Sequence, residues 1–102
     1  MKLTTPEKVI QLQILKYLKL IGAVAGKTKT MATQGFRSDP LTFRGKCDLE
    51  AFKDGVMYGI EVKSKKGRLS PEQILYKELF HKPPDRIYIL ARSVEDVSII
   101  IS

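Results

Sequence analysis

Two carboxylates and an ammonium group, Asp48, Glu61 and Lys63, are the side chains whose types and spacing best suit chemistry. They flank Asp54-Gly55, a strong hairpin signal, because a type I′ turn needs positive φ at both central positions. The flanks alternate and are rich in strand formers, which predicts antiparallel strands over about 47–53 and 56–64. Such a turn sets Phe52 opposite Met57, Glu50 opposite Gly59 and Asp48 opposite Glu61. Side chains alternate faces along a strand, so Asp48, Glu61 and Lys63 share one face. Directly opposed carboxylates have Cβ atoms roughly 4.5–5.5 Å apart and repel each other. At an effective dielectric near 20 the repulsion is about 3 kcal/mol. Solvent, a shared proton or a divalent cation would offset it. Hard oxygen donors converging on one point suit Mg²⁺ or Mn²⁺, and Lys63 would stand beside the ion. The same spacing also fits a plain salt-bridge cluster, in which lysines neutralise both acids on a wet sheet face.

The rest of the chain must hold these groups in place. At 102 residues the sequence makes one domain, residues 1–102, able to bury a core without staples. Lys plus Arg number 18 against 11 acidic residues, a net charge of +7, which points to a polyanionic partner and most simply to nucleic acid. A lone cysteine excludes an internal disulfide and a cysteine-based zinc site. A single histidine removes HExxH zinc chemistry, and at a helix end His81 reads as a solvated cap rather than a base. The sequence has no apolar run long enough to span a membrane, and its first residues lack a signal-peptide core, so an intracellular, cytoplasmic protein is expected.

Thr5-Pro6-Glu7 reads as a helix start, with Thr5 as N-cap, Pro6 at the first helical position and Glu7 complementing the helix dipole. The helix should run to Leu20 or Ile21 and end at Gly22. It carries more apolar residues than one narrow stripe holds, which suits either a broad buried face or a dimer interface. A short strand is expected over about 23–30, with Lys27 and Lys29 on one basic face. Residues 31–46 read as a long loop, in which Phe36, Arg37, Phe43 and Arg44 could reach a phosphate backbone or a base, or the Phe residues could simply anchor the loop. Gly45 would let the chain turn into the strand that carries Asp48.

After the hairpin, Lys65, Lys66 and Arg68 form a basic turn, either solvated charge or a phosphate clamp. Ser70-Pro71-Glu72-Gln73 is a second helix start with a capping box, and the helix should run to about His81 before Pro83-Pro84. Gln73, Tyr76, Lys77 and Phe80 should share a face of it. Residues 86–91 read as a buried strand, 93–96 as a turn or one helical turn, and 97–101 as a last strand. The order helix, strand, hairpin, helix, strand, strand predicts an α/β sandwich with a mixed central sheet.

Taken together, Gly45-Lys46-Cys47-Asp48, Ile60-Glu61-Val62-Lys63, Ser70-Pro71-Glu72-Gln73 and Glu7 resemble the virus-type replication-repair nuclease (VRR-NUC) domain of the PD-(D/E)XK superfamily over nearly the whole chain. One departure is Cys47, where the family usually has Pro just before the Asp. The resemblance implies a PD-(D/E)XK nuclease-like mixed sheet flanked by helices. It implies Glu7, Asp48, Glu61 and the Val62 carbonyl as ligands of one or two Mg²⁺ or Mn²⁺ ions. Gln73 would belong to the active face, and Lys63 would orient the attacking water or stabilise charge on the phosphate. The implied activity is endonucleolytic cutting of DNA, and for a domain this small it is cutting of four-way junctions by a homodimer. A flap or less selective endonuclease and a non-catalytic DNA-binding module remain as alternatives. The cations expected to meet DNA are Lys27, Lys29, Arg37, Arg44, Lys46, Lys65, Lys66, Arg68 and Lys77.

Overall fold

A computed structural model describes residues 5–28 and 45–102. Helix α1, Glu7–Leu20, is followed by strand β1, Val24–Lys27, and by the hairpin of β2, Leu49–Lys53, and β3, Val56–Val62. Helix α2, Pro71–Phe80, strand β4, Arg86–Ala91, and a short helix α3, Val94–Ser98, complete the chain. The strands form one sheet in the order β1-β2-β3-β4. β1, β2 and β3 pair antiparallel, and β4 lies parallel to β3. The mixed α/β sheet expected from the sequence is therefore present. Among the described residues no helix is long and apolar enough to cross a membrane.

The two faces of the sheet are covered by different helices. On one face Ile10, Ile14 and Leu18, spaced one helical turn apart along α1, pack on Leu49, Ala51, Ile60, Val62, Ile89 and Ala91. On the other face Tyr76 and Phe80 of α2 pack on Cys47 and Tyr88. Gly59 keeps that face thin: a Cβ there would lie 3.0 Å from the Phe80 ring and 3.1 Å from Cys47 Sγ. The period-2 alternation of β3 and β4 sorts their side chains between these two clusters.

The hairpin register is the expected one, with Phe52 opposite Met57 and Glu50 opposite Gly59. Asp54 and Gly55 both adopt positive φ, 53° and 81°, as the turn demands. The β2–β3 ladder stops at Leu49 and Ile60, short of Asp48 and Glu61, while β3 runs on to Val62 along β4; both strands are shorter than predicted. Helix α1 also starts one residue late. Pro6 is its N-cap in extended conformation, without a side-chain cap, so Thr5 does not cap it. The Pro6 carbonyl accepts from the Val9 and Ile10 amides instead. At the other end Gly22, at φ +87°, closes a Schellman motif: Gly22 N–H donates to the Lys19 carbonyl and Ala23 N–H to Leu18.

The C-terminal strand expected over 97–101 is a helical turn. A strand would bury every second residue, yet Val97 and Ile101 are 0% and 1% exposed while Ile99 is 80% exposed. Four-residue spacing is helical, and Ile101 N–H donates to the Val97 carbonyl. The Ile101 carbonyl in turn accepts from Tyr17 Oη at 2.7 Å, tying this end to α1. Helix α2 begins as expected, with the Ser70–Gln73 capping box complete and Pro71 at its start. It stops at Phe80 with His81 as C-cap. The His81 ring is not merely solvated, because Nδ1 accepts from the Tyr88 amide at 3.1 Å.

Candidate active site

Asp48 sits at a bend just before β2, where two elements fix it. Its carbonyl accepts from the Thr28 amide at 2.9 Å, and Thr28 Oγ1 donates to the Cys47 carbonyl. Its carboxylate Oδ2 accepts from the Val62 amide at 2.9 Å. The two acids thus do not meet as a ladder pair; Asp48 hooks onto the backbone just past Glu61. Gly45 makes this approach possible. It has φ +82°, and a Cβ there would lie 2.4 Å from the Glu72 carbonyl carbon and oxygen. Only glycine lets the segment leading to Asp48 lie against the first turn of the helix that carries Gln73.

Glu61 is a buried acid, 2% exposed, on the α2 face of β3. Its Oε2 accepts from Gln73 Nε2 at 3.1 Å and faces Lys63 Nζ at 3.4 Å. Its Oε1 is buried without a partner. Burial pushes the Glu61 carboxyl up to about 7, the Asp48 charge pushes the same way, and Lys63 opposes both. Gln73 serves two ends at once: Oε1 accepts from the Ser70 amide to close the capping box, and Nε2 holds Glu61. Lys63 is two residues past Glu61 on the same face, as alternation requires, and its amide still donates to the Ala91 carbonyl.

Glu7 reaches the end of β3 from the first turn of α1, where its Oε2 accepts from the Ser64 amide at 3.1 Å. It does not join Asp48 and Glu61 in one cluster, since among the described residues no three His, Cys, Asp or Glu side chains group as a metal site. The donor set still suits a divalent cation. Two carboxylates, one with an orphaned buried oxygen, meet the habit of Mg²⁺, which binds through one or two carboxylates and keeps several waters.

The expected DNA-contacting cations divide into groups. Lys27 lines a cavity of about 310 Å³ together with Asp48, Lys8 and Gln11. Arg68 and Lys77 line a groove of about 580 Å³ with Leu69, Ile74, Glu78 and Arg92. Lys77 therefore stands apart from the stripe it was expected to share with Tyr76 and Phe80, both of which are buried. Lys65 and Lys66 are exposed, and Lys46 pairs with Glu50 at 3.9 Å. Phe36, Arg37, Phe43, Arg44 and Lys29 lie outside the described residues.

Sequence reasoning missed Lys8, Gln11, Tyr88 and Arg92. Gln11 lies one helical turn past Glu7, which was an available signal, and Lys8 directly follows it. The Tyr88 hydroxyl is buried and unpartnered, its pKa raised by burial and then by the Glu61 charge. Nothing in the local sequence marks Tyr88 or Arg92. Cys47, in the position where proline was expected, is fully buried against Tyr76 and Leu49 and belongs to the core.

No protein-family model matches the sequence, and no curated protein matches it. A solved structure described as "VRR_NUC domain" does match, with a TM-score of 0.66 and 24% identity over 93% of this chain and 92% of that one. The chain has the fold of a VRR_NUC domain.

Proposed function

We propose that this domain is a metal-dependent DNA endonuclease with its active site at Asp48, Glu61 and Lys63. The observation that carries the reading is Glu61. A structural salt bridge has no use for a carboxylate buried with one oxygen unpartnered, beside a second acid that raises its pKa. Asp48, Glu61 and the Val62 carbonyl are the groups that would hold Mg²⁺ or Mn²⁺, and Glu7, bound to the Ser64 amide, stands outside that pair. Such an ion, when bound, polarises the scissile phosphate and makes hydroxide available near neutral pH. The chain's own residues do the remainder. Gln73 fixes the rotamer of Glu61, and the Val62 amide fixes Asp48. Lys63 Nζ, held at 3.4 Å from Glu61, orients the attacking water or meets the charge that builds on the phosphate. The groove flanked by Arg68 and Lys77 seats the phosphate backbone beyond Gln73, and Lys27 and Lys8 flank Asp48 on the other side.

Branched DNA, cut as a symmetric four-way junction by a homodimer, is the substrate we propose. Exposed Val9 and Leu12 on α1 support self-association. A non-catalytic DNA-binding module is the second reading. The Lys63–Glu61 ion pair and the lack of a three-carboxylate group among the described residues favour it. A labelled four-way junction, with linear duplex and single strand as controls, separates the readings in Mg²⁺, Mn²⁺ and EDTA beside Glu61→Ala. Paired, metal-dependent cuts that vanish in the variant support the junction nuclease. Cutting of every substrate keeps the nuclease and discards the selectivity. Tight binding without cutting under either metal leaves the binding module.

A further inference from the structure

Arg92, just past the end of β4, reaches across to the turn that follows Lys63. Its Nη1 donates to the Ser64 carbonyl and, at 2.8 Å, to the Gly67 carbonyl, with a longer 3.3 Å contact to Lys65. The turn is closed on itself by Gly67 N–H donating to the Ser64 carbonyl at 3.0 Å. Three backbone carbonyls thus point at one cation, which is a fixed geometry rather than a solvated charge. The backbone of Arg92 is fixed as well, since its amide donates to Asp96 Oδ2 at 2.8 Å at the start of α3.

What the turn touches gives the staple its meaning. The Ser64 amide holds Glu7. Gly67 lies on the stem of Lys63, where a Cβ at Gly67 would be 3.3 Å from Lys63 Cβ and Cδ. We infer that Arg92 is a positioning residue of the active site: by gathering the 64–67 turn it seats Lys63 from above and anchors Glu7 from α1. This rests on the nuclease reading. Arg92 touches neither acid directly and acts through the turn. Its guanidinium binds carbonyls at both ends of the turn, and a site misplaced by about 1 Å can lose about a hundredfold in rate.

The test is Arg92→Met and Arg92→Lys in the full chain, with cleavage kinetics on the junction substrate and amide hydrogen exchange at Ser64 and Gly67. The expected result for Arg92→Met is a kcat loss of roughly 10–100-fold with KM unchanged within about threefold. Ser64 and Gly67 amides should exchange faster, and Arg92→Lys should recover part of kcat. Gly67→Ala, which leaves Arg92 intact but crowds Lys63, guards against a folding defect in Arg92→Met and should also lower kcat more than it changes KM. A rise in KM at unchanged kcat would overturn the inference, because Arg92 would then be one more phosphate-binding cation of the groove. So would wild-type kcat in Arg92→Met. A wild-type protein that cuts nothing sinks the nuclease reading and this inference with it, whereas active wild type beside equally active Arg92→Met sinks the inference alone.

Discussion

The two faces of the sheet are built to opposite specifications. The α1 face is dry and made almost wholly of Ile, Leu, Val and Ala. The α2 face holds Cys47, Tyr76 and Tyr88 beside the buried acid Glu61, with two buried oxygens unpartnered among the described residues. Burying apolar area stabilises, and burying an unpaired polar group costs. The first face therefore stabilises the fold, and the second uses some of that stability to hold a carboxylate where water does not reach it freely. Tolerating such a cost is the mark of a site rather than of a core.

Substitutions on the two faces should therefore have opposite consequences. Lys63→Ala should lower cutting by about a hundredfold or more while DNA binding stays near wild type, as should the melting temperature at acid pH, where Glu61 is protonated and needs no counter-charge. Ile14→Ala, on the dry face, should cost about 2–5 kcal/mol in stability, read by urea unfolding, because its fully buried side chain leaves a cavity. If Lys63→Ala unfolds the protein, or leaves cutting intact, the two faces do not divide the labour in this way.

Both residues are legible in the sequence, for different reasons. Lys63 follows from the hairpin, since Asp54-Gly55 sets the register and alternation does the rest. Ile14 follows from turn-by-turn spacing on α1. The site is less legible where it depends on contacts between distant segments. Glu7 meets Ser64, and Arg92 meets Ser64 and Gly67, across separations that no local pattern encodes. Gly45 is readable as a turn glycine, but its tight fit against Glu72 is not. The 97–101 segment misleads because its run of β-branched residues reads as a strand, while Ile99 lies exposed between buried Val97 and Ile101, which a period of two forbids and a helical turn allows.

The polar face also makes stability depend on pH. The folded protein holds the Glu61 carboxyl near 7, above its ordinary 4.5, so folding takes up a proton there. The raised value means that this group weighs against stability only as pH rises through that window, and does so fully above 7. In EDTA, Glu61→Gln should therefore melt like wild type near pH 4.5, and higher than wild type at pH 8 by on the order of 1–3 kcal/mol, or several degrees. Mn²⁺ at pH 8 should raise the melting temperature of wild type and not of the variant. A melting difference that does not change with pH would mean that Glu61 ionises freely in the fold.

The mildest effect belongs to Cys47, which sits on the polar face and packs in its core. Burial pushes its thiol up to about 11, partly relieved by the Tyr76 hydroxyl, so almost none is thiolate at neutral pH. Iodoacetamide at pH 7.5 should leave native protein unlabelled by mass spectrometry over the time in which urea-unfolded protein is fully alkylated. Cys47→Ala should keep cutting within about threefold and lose about 1 kcal/mol, the cost of one small buried side chain. The sulfur packs 3.1 Å from where a Gly59 Cβ would stand, so Cys47→Leu should be worse than Cys47→Ala, because overpacking here would press on Gly59 and Phe80. Rapid native labelling would place the thiol at the surface of the site, and the α2 face would then be open where its packing requires it to be closed.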